Sequence, residues 1–339
     1  MLTMSSALDR ARRYYSHKKA IVDREGTWTW GEHLDRVVRA AGMLRAMGIG
    51  PGDAFGLLSR NTFRNCELVH AGYWMGAVPV PVNIRLAAPE IQYILENAGA
   101  KVVGVEDVFL ELLDSEALSA WSDKAFCVSK EAPEGSNLPH YEALIAGADP
   151  APLHDADPQD TAILFYTGGT TGRSKGVQLS HMNVVSNGLQ CGHTMGFGTD
   201  HTYLHVAPMF HSADLLGTGV TLMGGSHAYL PQFTPTAFLE AVQDLRVTHS
   251  MLAPTMIILI LQQEDVSRFD LSSLQWFLYG SAPMAAEWVK RTIEAFPGVK
   301  VEQGYGLTET SPILTWLPMD EHVKALEAND LTRLKAAGR

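Results

Sequence analysis

A glycine- and threonine-rich segment, YTGGTTGRSKGV at residues 166–177, constrains this sequence more than any other feature. It directly follows the apolar run 162–165, which predicts a buried strand. Glycines let the backbone approach an anion closely, while hydroxyl and amide groups surround phosphate oxygens and a lysine offsets their charge. Because all these groups follow a strand, the segment indicates a loop that binds the phosphates of a nucleoside triphosphate.

The spacing within this loop excludes one common class of nucleotide site. A Walker A motif needs Gly-Lys-Ser/Thr in direct succession, whereas here Arg173 and Ser174 separate Gly172 from Lys175. The segment therefore disfavours an ordinary P-loop ATPase or kinase.

Three further segments accompany the loop: APMFHSADL at 207–215, YGSAP at 279–283 and QGYGLTET at 303–310. In this order and separation, the four segments resemble the acyl-adenylate-forming (AMP-binding) superfamily of acyl-CoA synthetases, peptide synthetase adenylation domains and luciferase-like enzymes. The similarity extends from about residue 27 to residue 318. Two positions depart mildly from the family pattern, which commonly has Ser at Gly168 and often Pro at Ser174.

Apolar periodicity predicts strands alternating with helices, such as helix 31–47, strand 54–58 and helix 61–75, and a helix at 181–191 after the phosphate loop. The fold class is therefore layered α/β with mostly parallel sheets flanked by helices, and the resemblance implies an acyl-CoA synthetase-like large domain. We expect a first subdomain at 1–150 and a second at 151–339. Ligands of open sheets bind outside the carboxyl ends of strands, where we place Tyr166, Gly280 and Gly304.

The resemblance implies a role for each motif residue. Tyr305 would stack on adenine, Thr308 would contact the α-phosphate, and Glu309 would bind Mg²⁺, a metal that takes one or two carboxylates together with phosphates. Lys175 would balance phosphate charge. The remaining nucleotide-binding residues are expected to be Thr167, Gly168, Gly169, Thr170, Thr171 and Gly172 in the loop, Gly280, Ser281 and Ala282 in the pocket wall, and Gly304 and Gly306 in the adenine motif.

His211 is expected to border the entrance for the substrate carboxylate. We assign it orientation and gating rather than general-base catalysis, because a carboxylate nucleophile is already ionised near pH 7. His211, Thr308, Glu309 and Lys175 are the expected catalytic group. His201 and His205 have i, i+4 spacing, but His205 falls in a β-like run, so a zinc site there is disfavoured.

The implied activity joins a carboxylic acid to ATP as acyl-AMP with release of pyrophosphate, and then to coenzyme A as a thioester. The expected substrate is a medium- or long-chain fatty acid, with the acyl pocket near His211, residues 217–225 and residues 304–307. Glycines at 217, 219, 224 and 225 would allow either close packing or room for a chain. Aryl-CoA ligases, carrier-protein-loading enzymes and a non-catalytic nucleotide-binding module remain alternatives.

Bulk properties limit the partners. The net charge of −11 argues against nonspecific nucleic-acid binding. The three cysteines are widely separated, which favours buried or free thiols over a disulfide framework or a metal site. No apolar run approaches the about 20 residues that span a bilayer, and a secretory signal is not evident, so a cytoplasmic enzyme is expected. Peripheral membrane contact and a homodimer remain open.

The end of the sequence departs from the family pattern. Relatives continue beyond the glutamate motif with a TGD-type aspartate that binds ribose, a hinge and a C-terminal lid domain that carries a lysine. This chain has no TGD and ends in the charged segment 317–339. We therefore expect a large domain truncated before the lid, with little or no activity alone.

Overall fold

The computed structural model describes residues 2–168, 172–334 and 336–338. The α-helices are α1 (Met4–Tyr14), α2 (Trp30–Ala46), α3 (Phe63–Met75), α4 (Ala88–Asn97), α5 (Tyr141–Gly147), α6 (His181–Thr194), α7 (Gly217–Met223), α8 (Pro235–Asp244), α9 (Pro254–Gln263), α10 (Ala286–Ala295), α11 (Met319–Glu327) and α12 (Leu331–Leu334). The β-strands are β1 (Lys19–Asp23), β2 (Gly26–Thr29), β3 (Ala54–Leu58), β4 (Val78–Pro81), β5 (Ala100–Glu106), β6 (Ala125–Val128), β7 (Thr161–Thr167), β8 (Lys175–Ser180), β9 (Thr202–His205), β10 (Ser226–Tyr229), β11 (His249–Leu252), β12 (Trp276–Gly280), β13 (Lys300–Tyr305) and β14 (Thr315–Leu317). Short 3-10 helices lie at Asp107–Asp114, Ser119–Lys124, Ser212–Leu216, Val266–Arg268 and Thr308–Thr310.

Local sequence signals explain where the early helices begin and end. Helix α2 starts with a capping box, in which Thr29 Oγ accepts the N–H of Glu32 and the Glu32 carboxylate accepts the N–H of Thr29. Each side chain thereby accepts a hydrogen bond from a backbone N–H at the start of the helix. Helix α3 starts at a Thr62 cap and ends at Gly76, whose φ of 76° lies in the left-handed region that favours glycine. The predicted helices 31–47 and 61–75 are confirmed, with small shifts at their ends.

The largest sheet has eight strands in the order β14-β13-β12-β11-β9-β10-β1-β2. Its interior pairs are parallel, and the outer pairs β1–β2 and β13–β14 are antiparallel. Strand β12 is buried along its whole length. Phe277 and Tyr279 pack in a core with α8, α9 and α10, while Leu278 packs in the opposite core with side chains of α6 and α7. Helices on both faces explain why the strand is apolar throughout.

A four-stranded parallel sheet, β4-β3-β5-β6, lies in the N-terminal part of the chain. Strands β7 and β8 form a separate antiparallel pair, and β7 packs against β4. The phosphate loop therefore connects two antiparallel strands. The predicted helix 181–191 is confirmed as α6, and strand β8, which the sequence did not predict, lies between the loop and this helix. As predicted, Tyr166, Gly280 and Gly304 lie at or near the carboxyl ends of strands β7, β12 and β13. Strand β7, however, lies outside the parallel sheets.

The N-terminal hairpin crosses the division that the sequence suggested. Residues of β1 and β2 belong to the predicted first subdomain, yet they extend the eight-stranded sheet by parallel pairing of Ile21 with His227. The boundary at residue 150 stays a prediction. Across the ranges that the structure covers, no helix combines the length and apolarity needed to cross a bilayer.

Candidate active site

A cleft of about 800 Å³ gathers the predicted motifs, which are far apart in the sequence. It lies beside the ends of β7, β11, β12 and β13 and the turns that follow β9 and β13. Eight residues predicted from the sequence line it: Thr167, Gly168, His211, Ser281, Gly304, Gly306, Thr308 and Glu309. The parallel pairing of β12 and β13 aligns Gly280 with Gly304, so the two motifs that follow these strands reach the cleft side by side.

Other predicted residues lie at the margin of this cleft or outside the described part of the chain. Lys175 is exposed at the start of β8, directly across the hairpin from Thr167. Tyr305 ends β13 with 43% of its surface exposed, which leaves its ring open to stacking. Gly172, Gly280 and Ala282 do not line the cleft itself. Gly169, Thr170 and Thr171 lie outside the described residues, so their predicted role stays a prediction.

Helix α4 anchors both ends of the phosphate loop. Tyr166 donates its hydroxyl to Asn97 Oδ1 at 2.7 Å, and Tyr93 donates its hydroxyl to the Ser174 carbonyl at 3.3 Å. The Arg173 guanidinium lies over the Tyr93 ring, 5.1 Å from its centroid, a distance typical of a cation–π contact. Partial burial, followed by the neighbouring Tyr93, raises the pKa of Tyr166 to about 12. The hydroxyl of Tyr166 therefore remains a donor at neutral pH.

Close backbone packing shapes the adenine motif. A side chain at Gly280 would approach the Gly304 carbonyl, and one at Gly306 would collide with the Pro312 carbonyl. The 3-10 turn Thr308–Thr310 follows, and the N–H of Leu307 donates to Thr310 Oγ1 at 2.8 Å. This turn presents Thr308 and an exposed Glu309 to the cleft. An exposed carboxylate beside a hydroxyl is a donor set that suits Mg²⁺ bound to a polyphosphate.

Ser281 occupies a strained position where β12 meets the cleft. Its φ is 66°, in the left-handed region that side chains other than glycine seldom adopt. Such conformations cost about 1–3 kcal/mol and cluster at functional sites. The strain supports the prediction that residues 280–282 form part of a binding surface.

His211 lies exposed at the cleft, next to the buried ring of Phe210. Displacement of water by surrounding protein atoms, and then the positive charge of Arg85, lower the pKa of His211 below its usual value. The imidazole is therefore neutral at physiological pH, a state that suits orientation of a carboxylate through hydrogen bonding. Its gating role stays a prediction.

Sequence reasoning missed several residues that line the cleft. Arg85 lies in the turn after β4, and its position just after a parallel strand could have indicated that it lines the cleft. Ser212 donates from Oγ to Thr308 Oγ1 at 3.0 Å, a contact that no local pattern indicates. The apolar part of the cleft is formed by Phe233, Met251, Ala253, Met256, Leu259 and Ile313.

The glycines at 217–225 serve packing and do not line the cleft. A side chain at Gly219 would contact the backbone of α6 at Gly188 and Gly192, and one at Gly225 would contact the Gly198 and His201 carbonyls. Of the two expectations for this segment, close helix and strand packing is the one observed. The apolar wall of the cleft comes from β11 and α9 instead, and the position of an acyl pocket stays a prediction.

The three cysteines are free and buried, as predicted. Cys66 lies with His33 and His70 in a cluster whose candidate metal-ligand atoms are within 4.8 Å of one another. Burial raises the pKa of the Cys66 thiol to about 12, and His33 Nδ1 is a buried atom without a hydrogen-bond partner in the described structure. Ligating imidazoles almost always donate their other nitrogen to an acceptor, so the cluster fits a core hydrogen-bond pair between His33 and His70 better than a metal site. His205 bonds Asp214 and His227 through its two ring nitrogens, and the expectation that His201 and His205 hold no zinc stays a prediction.

Comparison with known proteins agrees with this architecture. The family model described as "AMP-binding enzyme" matches residues 8–339. A long-chain-fatty-acid–CoA ligase of Thermus thermophilus is 33% identical over 346 residues, covering 99% of this chain and 62% of the relative. A feruloyl-CoA synthase of Amycolatopsis sp is 33% identical over 305 residues, covering 89% of this chain and 59% of the relative.

Among solved structures, the inhibitor-bound N-terminal domain of FACL13 from Mycobacterium tuberculosis has a TM-score of 0.84 and 27% identity, covering 97% of this chain and 81% of that chain. The chain spans about three fifths of the length of the two curated relatives, 62% and 59%. The similarity therefore extends over nearly all of this chain but part of each relative.

Proposed function

Because the chain belongs to the AMP-binding enzyme family, we propose that its cleft binds ATP and a carboxylic acid and supports formation of acyl-AMP with release of pyrophosphate. Transfer of the acyl group to coenzyme A would complete the reaction of the whole enzyme. One observation carries the proposal: residues of the phosphate loop, the adenine motif and the His211 segment line one cleft whose inner wall is apolar. A polar end and an apolar wall suit a substrate that carries a carboxylate on a hydrophobic body.

Each side chain has a defined task in this proposal. Two anions must meet, so positioning and charge neutralisation supply most of the catalysis. Thr167, Gly168 and Lys175 would hold the outer phosphates, and Thr308 would donate to the α-phosphate. Glu309 would hold Mg²⁺, which when bound neutralises phosphate charge. His211, kept neutral, would orient the acid.

The apolar wall favours a flexible aliphatic chain over a rigid ring. Met251 on β11 and Met256 and Leu259 on α9 line it, together with Phe233. Methionine side chains adapt to irregular apolar ligands. We therefore propose a medium- or long-chain fatty acid as substrate. The aryl alternative remains supported by similarity to a protein named feruloyl-CoA synthase.

Isothermal titration of this chain with acyl-sulfamoyl adenosines, which mimic acyl-AMP, tests the proposal. We expect decanoyl and hexadecanoyl analogues to bind at least about tenfold more tightly than AMP, because they add contact with the apolar wall. Tighter binding of a cinnamoyl analogue would favour an aryl acid. Equal affinity for AMP and every analogue would favour a non-catalytic nucleotide-binding module.

Pyrophosphate exchange by the full-length enzyme, screened over the same acids, then tests adenylation itself. A thiol-acceptor assay that compares coenzyme A with a carrier protein distinguishes the proposed acceptor from the carrier-protein alternative. If none of the acids supports pyrophosphate exchange, the catalytic proposal is contradicted.

A further inference from the structure

A buried chain of hydrogen bonds runs behind the cleft. Asp214 Oδ1 lies 2.6 Å from His205 Nδ1, His205 Nε2 lies 2.9 Å from His227 Nδ1, and His227 Nε2 lies 3.1 Å from Thr221 Oγ1. The two histidines belong to the neighbouring strands β9 and β10, Thr221 to α7, and Asp214 to the 3-10 helix Ser212–Leu216. These hydrogen bonds thus connect the centre of the large sheet to the segment that follows His211.

With one proton on each imidazole, every hydrogen bond in this series has one donor and one acceptor. His205 then donates from Nδ1 to the Asp214 carboxylate and accepts at Nε2 from His227, which in turn accepts at its own Nε2 from the Thr221 hydroxyl. Burial, followed by the other nearby histidines, lowers the pKa of His227, which favours the singly protonated ring. A fully satisfied buried network has one arrangement, so it fixes its members in place.

Packing around His205 reinforces that arrangement. Its ring stacks on Tyr229 with centroids 4.6 Å apart, and a side chain at Gly217 would collide with the imidazole. Asn61 donates to the carbonyls of His205 and Ala207, at 3.0 and 2.9 Å. His205, at the end of strand β9, is therefore held both at its backbone carbonyl and at its side chain.

The 3-10 helix that contains Asp214 also contacts a predicted nucleotide-binding residue. Ser212, two residues before Asp214, donates to Thr308 Oγ1 at 3.0 Å. His211 precedes Ser212, and the N–H of Asp214 donates to the His211 carbonyl at 3.1 Å. A displacement of Asp214 would therefore move Ser212 and His211 together.

We propose that His205 is a positioning residue for the active site: its hydrogen bond to Asp214 holds the 3-10 helix Ser212–Leu216 so that Ser212 orients Thr308 and His211 faces the cleft. The effect on nucleotide binding rests on the proposed function. The effect on the order of the segment does not.

Amide hydrogen exchange on the free chain tests the proposal directly. His205→Phe removes the donor to Asp214, and exchange in peptides covering residues 209–217 should rise roughly tenfold, as expected for loss of one buried hydrogen bond. His205→Asn should restore most of the protection, because the asparagine amide can donate from the position of Nδ1. The matched control is His249→Phe, since His249 is equally buried in the adjacent strand β11 but bonds the Met195 carbonyl.

Affinity for AMP, measured by calorimetry on the same variants, is the second readout. His205→Phe should weaken binding several-fold more than His249→Phe does, with recovery in His205→Asn. Unchanged exchange at 209–217 in His205→Phe, or equal changes in His249→Phe, would overturn the positioning role. A wild-type chain that binds neither AMP nor acyl-adenylate analogues would contradict the proposed function, and the exchange result would still decide the role of His205.

Discussion

Glu309 lies on the 3-10 turn after β13, exposed at the cleft, and follows the hydroxyl of Thr308. If it binds Mg²⁺, Glu309→Gln should weaken binding of Mg²⁺–ATP by about tenfold, because a charged oxygen ligand is replaced by a neutral one. Affinity for AMP without metal should stay within about twofold. Calorimetric titration with each nucleotide provides both values.

The control for Glu309 is Glu287→Gln, which changes an exposed glutamate on α10 that pairs with Arg291. Both variants should unfold at nearly the same temperature as wild type, since surface substitutions have small effects on stability. Equal loss of affinity for Mg²⁺–ATP and for AMP in Glu309→Gln would contradict a metal-binding role.

At this scale, the sequence predicted residues within a contiguous motif and missed residues that reach the site from elsewhere. Thr308 and Glu309 were found through the family resemblance, because a contiguous motif keeps its residue types and spacing in the sequence, and their roles stay predictions. Ser212 lies in a recognised segment, but its bond to Thr308 depends on how β9 and β13 are arranged in the sheet. Arg85 comes from the smaller sheet, and only the packing of the two sheets brings it near His211.

At the scale of elements, helix α4 and the β7–β8 hairpin form a clamp around the phosphate loop. Tyr93→Ala removes both the hydroxyl donated to Ser174 and the ring beneath Arg173. Cleavage by trypsin after Arg173 should accelerate roughly fivefold, the effect of about 1 kcal/mol of lost local contact. Mass spectrometry of timed digests measures this rate.

Tyr93→Phe, which keeps the ring, should give an intermediate rate of cleavage after Arg173. Tyr14→Ala serves as the control, because Tyr14 is an exposed tyrosine on α1. The clamp would be refuted by a cleavage rate after Arg173 that is the same in Tyr93→Ala and wild type.

Element positions were more predictable than element partners. The strand at 54–58 was located to the residue, because an apolar run between turn residues marks it. Strand β8 was missed because three of its six residues are exposed and only one is buried, so its sequence shows no clear apolar alternation. Helix α1 was missed as well, although Thr3 caps it and its apolar face is buried, since its basic residues dominate the sequence pattern.

At the scale of the whole molecule, buried histidines make stability depend on pH. Burial lowers the pKa of His181 to about 4, the pKa of His249 to about 4 and the pKa of His70 to about 3. The unfolded chain, with histidine pKa values near 6.5, binds more protons than the folded chain between these limits. The free energy of unfolding is therefore highest above pH 6.5 and should fall by several kcal/mol as the pH decreases to about 4.

Urea denaturation at several pH values from 7 to 4 measures this dependence. His181→Asn isolates one contribution, because Asn can still accept the Met4 N–H that His181 Nδ1 accepts. This variant should lose less stability than wild type on acidification while remaining similar at pH 7. A stability that stays constant between pH 7 and pH 4.5 in wild type would contradict the prediction.

The position of β1 and β2 in the large sheet has a consequence for synthesis of the chain. Residues 19–29 are synthesised well before β10, the strand with which β1 pairs. The eight-stranded sheet is therefore completed in an order unlike that of translation, and β10 has an unpaired edge until the hairpin docks. Exposed edge strands are templates for intermolecular pairing. A chain that lacks β1 and β2 would leave that edge of β10 unpaired, so we expect the hairpin to protect the large sheet against aggregation.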